Sequence, residues 1–170
     1  MSKKYLQFKK NSTELVELTS WMEWLSKNGR GERASLRRCG TLNEVVFSPA
    51  YHRLCSTLAR IGEVDDEGLA LVVGLAARIK NDNSAGRIAE QMATGKPDGS
   101  ARVSGLRFRR LLKIKGREEL YCAMNRVISL LGASVNLQSL ARSVYLWNDR
   151  YIDIRKEWAF DYYSKAPSEP

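Results

Sequence analysis

The sequence predicts an all-α fold, two small helical-bundle lobes joined by a linker containing Gly, Pro and Ser, on three observations. Apolar residues recur at steps of three and four through most of the chain, the period of a helix with one buried face. Start and stop residues punctuate those runs in the order helices require, with Ser, Thr or Asn ahead and Gly behind. No segment alternates convincingly between apolar and polar residues at the period of a strand.

In chain order, Ser12 or Thr13 can cap a first helix whose Leu15, Leu18, Met22 and Leu25 share a face widened by Trp21 and Trp24, with Asn28-Gly29 as its end. A short basic helix, GERASLRRCG, follows between glycines. TLNE at 41–44 has capping-box spacing. In SPAYHRLCSTLARIG, Ser48 is the cap, Pro49 the first helical residue and Gly62 the stop. DDEGLALVVGLAARIK is the most apolar segment, acidic at its start and basic at its end, which suits the helix dipole and marks a central buried helix. SAGRIAEQMATG reads as one more short helix.

The linker GKPDGSARVSG places a lobe boundary, giving residues 1–97 and 98–170. Beyond it, LRFRRLLKIK is a basic helix stopped by Gly116. REELYCAMNRVISLLG ends at Gly132, Asn136 caps LQSLARSVYLW, DRYIDIRKEWAFDYY is a last helix, and SKAPSEP is a frayed tail. There is no internal repeat at solenoid length.

Composition bounds the function. The chain has 170 residues and is 44% hydrophobic and 28% charged, enough for a true core. Its net charge of +9 predicts attraction to phosphate-rich partners. No apolar run approaches the ~20 residues of a membrane span, and the basic start MSKKYLQFKKNS lacks the apolar core of a secretory signal. The cysteines are Cys39, Cys55 and Cys122, an odd number that argues for reduced thiols in a cytoplasm.

Enzymatic chemistry finds little support. His52 stands three residues before Cys55, yet no C-x₂-C pair is present to nucleate a zinc site. Asp65, Asp66 and Glu67 open an apolar helix, where capping explains them better than magnesium does. There is no P-loop, dinucleotide fingerprint or nucleophile elbow. The expectation is a non-enzyme without metal or cofactor.

Positive charge, in contrast, is concentrated. In NGRGERASLRRCG and the lysine before it, Lys27, Arg30, Arg33, Arg37 and Arg38 face only Glu32. From Lys96 to Arg117 eight Lys or Arg accompany the single acid Asp98. On a helical wheel Phe108, Leu111 and Leu112 share one third of the circumference, Arg109, Arg110 and Lys113 lie opposite, and Arg107 is on the flank. Long basic side chains can simply cover apolar surface. Two acid-poor clusters rich in Arg, whose planar fork matches phosphate, favour nucleic-acid backbone instead.

The order of these segments resembles a known family. ASLRRCG precedes FSPAYHRL, LRFRRLL precedes REELYCAMNRVISLLG, and the chain closes with VNLQSLARSVYLWNDRYIDIRKEWAFDYY. This is similar to CasB, the small subunit of the type I-E CRISPR surveillance complex Cascade, over about Trp21 to Tyr163. The resemblance implies a two-lobed helical protein present as two copies, beside a large subunit and crRNA-backbone subunits. It implies contact with crRNA and with target and non-target DNA, stabilisation of the R-loop, and no catalysis of its own. By position it implies nucleic-acid contacts at Arg37 and Arg38, Arg53, Arg107, Arg109 and Arg110, and Arg126 and Arg142. Of Arg126 and Arg142, Arg142 is the better suited to a structural pair with an acid of the last helix. Arg33 and Lys113 join them from the two basic clusters. Asp149 departs from the pattern, standing where family members can be basic. The alternative is a purely structural assembly subunit whose basic faces dock to partner proteins.

Overall fold

The structure, a computed structural model, describes residues 4–168. It is mostly α. Strand β1 (Lys4–Tyr5) precedes α1 (Thr13–Lys27), α2 (Arg30–Arg37), α3 (Leu42–Val46) and α4 (Pro49–Ala59). Strand β2 (Gly62–Glu63), α5 (Asp66–Ala76), β3 (Asn81–Asp82) and α6 (Ile88–Ala93) follow. The remainder is α7 (Gly105–Leu112), α8 (Arg117–Leu130), β4 (Ser134–Val135), α9 (Leu137–Tyr145) and α10 (Ile154–Lys165). No helix among the described residues is long and apolar enough to cross a membrane.

Local chemistry sets most boundaries. The side chains of Ser12, Thr41, Ser48, Asp65, Ser104, Asn136 and Asp153 each accept from a backbone N–H in the first turn they precede, satisfying donors a helix start leaves open. The box at 41–44 is modified: the Glu44 carboxylate accepts from Gly40 N–H at 2.9 Å, one residue before the cap. Gly132 closes α8 with φ +66°.

Several boundaries differ from the sequence reading. Helix α7 ends at Leu112, a turn before Gly116, which instead caps α8. Helix α9 ends at Tyr145, and α10 starts only at Ile154 because Asp149 folds the intervening residues into a turn. Ser164 and Lys165 continue α10, so the expected frayed tail begins later, and its last two residues lie outside the described ones.

The core is built around α5. Every residue from Gly68 to Ala77 is buried, and α3, α4, α8, α9 and α2 pack around it. Gly74 permits the closest of these approaches: a Cβ there would lie 2.7 Å from Tyr121 Cε1 and 3.0 Å from Val45 Cγ2. Buried apolar residues form a cluster from Leu6 to Tyr162 that includes both sides of residue 97. Helix α10 packs on α6, and the segment read as a linker carries an antiparallel bridge between Gly95 and Ala101.

Two short parallel pairings tie distant segments together, β1 with β2 and β3 with β4. The first fastens the amino-terminal segment, where Leu6 and Phe8 are fully buried. Phe8 takes φ +53°, its ring meets Tyr145 edge-on at 5.2 Å, and its carbonyl accepts from Gln138 Nε2 at 2.7 Å. Buried Glu14 secures the same segment, accepting from Gln7 N–H at 2.9 Å and pairing with Lys4 at 3.3 Å. Burial alone would raise its carboxyl, but these donors hold it below the usual range.

Replacing Gly74 with Ala should lower stability by about 1–3 kcal/mol through overpacking against Tyr121 and Val45. The expected readout is a lower urea midpoint at unchanged slope.

Candidate nucleic-acid interface

The basic residues divide into those the fold uses internally and those it leaves at the surface. Arg33 and Arg37, one turn apart on α2, both reach the carboxyl end of α5. Their Nε atoms each donate to Ala77 O at 3.1 Å, and Arg33 also bonds Ile79 O. Burial and the neighbouring Arg37 guanidinium lower the Arg33 pKa, though arginine stays charged in proteins. Arg78 acts nearby, donating to Cys39 O at 3.1 Å and Tyr121 Oη at 3.3 Å. Arg142 makes a two-pronged pair with Glu157 of α10 at 3.0 and 3.2 Å, the structural pair expected for it. Arg117, which the sequence reading did not single out, clamps Asp65 and Glu67 at the start of α5.

The acids and thiols are likewise occupied with structure. Asp65 caps α5, as its position predicts, and accepts from Arg117. Burial pushes the Cys39 and Cys55 thiols above their ordinary value, the opposite of what a thiolate nucleophile needs. The His52 Nε2 lies 2.7 Å from Val46 O, so its ring is engaged with backbone.

The remaining predicted residues are exposed: Arg38 at the end of α2, Arg53 on α4, Arg107, Arg109, Arg110 and Lys113 on or just after α7, and Arg126 on α8. Arg53 lies 4.1 Å above the Trp24 ring, which fixes its stem while its edge faces solvent. Helix α7 is held by Phe108, which stacks on Tyr162 at 3.9 Å with the rings 6° apart. Tyr162 is held in turn by donating to Val103 O at 2.6 Å. With Phe108 and Leu111 buried and Leu112 half-buried, the apolar third of the wheel points inward.

That orientation brings three of the predicted residues together. A groove of about 790 Å³ runs between α7 and α8, lined on its rim by Arg107 and Arg110 from one helix and Arg126 from the other. Its floor is apolar, from Val103, Leu111 and Val127, and Glu119 is its one acidic lining residue among the described residues. Lys113 lies elsewhere, in a second depression with Lys115 and Arg150. Arg38 and Arg53 are on the α2 and α4 surfaces, apart from both grooves. Lys115 and Arg150 are surface cations that the sequence reading did not select. Their signal was present in the basic run ending at Arg117 and in Arg150 beside Tyr151, but Asp149 masked it.

The two kinds of arginine should separate in a stability measurement. Arg33→Ala leaves Ile79 O without its donor and Ala77 O with Arg37 alone, and should cost about 1–3 kcal/mol. Arg38→Ala and Arg110→Ala should stay within about 0.5 kcal/mol of the parent, all read from urea midpoints.

Comparison with known proteins bears on family and fold. The chain matches a family model described as CRISPR-associated protein Cse2 over residues 32–163. No curated protein matches it. Among solved structures it is similar to CasB from Thermus thermophilus, with a TM-score of 0.67 at 20% identity, covering 90% of this chain and 99% of that one. It is equally similar to a second solved structure from Thermus thermophilus, a CRISPR-associated protein of the Cse2 family, with a TM-score of 0.67, 23% identity and the same coverage. Identities this low speak to fold, and both neighbours share the mostly helical architecture. The family match spans most of the chain and takes in Arg33, Arg37 and Arg38 of the α2 cluster and both helices of the arginine groove: this protein belongs to the CRISPR-associated Cse2 family.

Proposed function

We propose that the protein is a non-catalytic small subunit of a type I-E Cascade complex, holding nucleic-acid backbone so as to stabilise the crRNA-guided R-loop in antiviral defence. Family membership supplies the CRISPR setting. The observation that carries the backbone-holding role is the α7–α8 groove, with Arg107, Arg110 and Arg126 along an apolar floor and a single acid. Guanidinium forks engage phosphate oxygens through paired N–H donors. A surface that reads charge and ignores base edges accepts any target sequence. Exchange of a DNA duplex for an RNA–DNA hybrid is nearly balanced, so modest contacts of this kind tip it. In this reading the partners are crRNA, target and non-target DNA, the large and crRNA-backbone subunits, and a second copy of this chain, all in the cytoplasm.

A second reading, an assembly subunit whose surfaces dock to protein partners, is favoured by one observation. Phe47 and Phe160 leave most of their rings in solvent, 78% and 70% exposed, and rings so exposed suit protein contacts. The two readings part in a reconstituted complex carrying Arg107→Glu, Arg110→Glu and Arg126→Glu together. Backbone holding predicts a variant that stays in the complex by native mass measurement while R-loop lifetime falls roughly tenfold or more. It also predicts that Arg110→Ala alone reduces the salt dependence of binding by about one ion. An unchanged lifetime counts against the proposal, and loss of the variant from the complex favours the docking role. Purified protein incubated with labelled RNA or DNA and a divalent metal should give no cleavage.

A further inference from the structure

The α9–α10 turn carries an aromatic side chain that the core does not use. Asp149 Oδ1 accepts from the backbone N–H groups of Tyr151 at 2.8 Å and Ile152 at 2.9 Å, folding the segment tightly. Tyr151 is thrust outward to 89% exposure. The turn is not loose, because it is pinned to the end of α7 in several places. Asn148 Nδ2 donates to Lys115 O at 2.9 Å, and Trp147 Nε1 to Ile114 O at 2.8 Å. Arg155 lies 4.5 Å from the Trp147 ring centre and donates to both Trp147 O and Ile114 O. Lys113 and Lys115 therefore stand at a fixed position opposite Arg150 and Tyr151, across a depression of about 840 Å³.

The charges around it do not cancel. Its lining contains two acids, Asp149 and Asp153. Asp149 is occupied by the turn, and Asp153 caps α10 by accepting from Lys156 N–H at 3.1 Å. Arg155 is directed inward. Lys113, Lys115 and Arg150 are exposed, and among the described residues none of the three makes a side-chain hydrogen bond or ion pair. A bare ring beside three uncommitted cations matches a polymer that alternates flat apolar faces with phosphates. A duplex keeps its base faces stacked inside, so the match is to a single strand.

We propose that this depression is a second nucleic-acid subsite, in which one unpaired nucleobase stacks on Tyr151 while Lys113, Lys115 and Arg150 hold the flanking phosphates. It rests on the backbone-holding reading above and adds to it a contact that senses whether a base is present. Helix α7 then serves two grooves, Arg107 and Arg110 facing α8 and Lys113 facing the turn.

The test uses the purified full chain, a single-stranded oligo(dT), and a strand of equal length and charge whose sugars are abasic. Wild type should bind oligo(dT) about tenfold more tightly than the abasic strand, within the range of one base–aromatic stack. Tyr151→Ala should abolish that preference while leaving abasic binding unchanged, and Tyr151→Phe should retain it. Lys115→Ala should weaken both strands alike and lower the salt dependence by about one ion. A preference that survives Tyr151→Ala overturns the subsite. Salt-sensitive wild-type binding that is equal for the two strands also overturns it, while sparing the backbone-holding role. Binding of neither strand overturns both. If Tyr151→Ala keeps wild-type oligonucleotide affinity but is lost from the assembled complex, the tip is a protein contact and the subsite is wrong.

Discussion

Burying the whole body of one helix, all but its first two residues, is the constraint on which the rest of this structure depends. From Gly68 to Ala77 the segment has no solvent-facing side, so the carbonyls at its buried carboxyl end cannot be left to water. Both ends are met by side chains. Asp65 caps the amino end and is itself held by Arg117 of α8, while Arg33 and Arg37 of α2 supply donors to carbonyls past the carboxyl end. The surrounding helices are thus positioned twice, once by apolar packing and once by the polar needs of the element they enclose. Part of the positive charge on α2 is structural for this reason, and the acid-poor look of that cluster does not translate one for one into ligand contacts.

What the sequence disclosed follows from which interactions are local. Ser12, Thr41, Ser48, Asp65 and Asn136 act on N–H groups two or three residues away, so their roles as caps were readable from spacing alone. The burial of α5 was readable because its apolar run has no polar face. Arg33 was harder: the wheel shows which face it occupies but not that carbonyls more than forty residues away wait opposite. Arg142 was better placed because the resemblance already pointed it at an acid of the last helix, where Glu157 stands. Asp149 carries a structural role that its departure from the family pattern did not disclose: its oxygen is taken up by two backbone donors. The α7–α8 groove needed the relative placement of two helices, which periodicity does not contain.

The basic helix α7 also shows how a poor helix by local criteria is made dependable. Eight residues are too few to be stable alone, and the like charges of Arg109 and Lys113 oppose helix formation further. The Phe108–Tyr162 stack and the cap from Ser104 offset both. The cationic surface can therefore be dense, because its geometry is decided on the opposite side by aromatic packing that charge substitutions do not touch.

The amino-terminal strap has a consequence for how the chain folds. Its partners are Gly62 and Glu63 in β2, Gln138 on α9, 130 residues from Phe8, and the Tyr145 ring. The strap therefore acquires its full set of native neighbours only when a loop of that length has closed, which is slow compared with forming local helices. The burial of Leu6 and Phe8 is thus coupled to the docking of α9, so that loosening either one loosens the other.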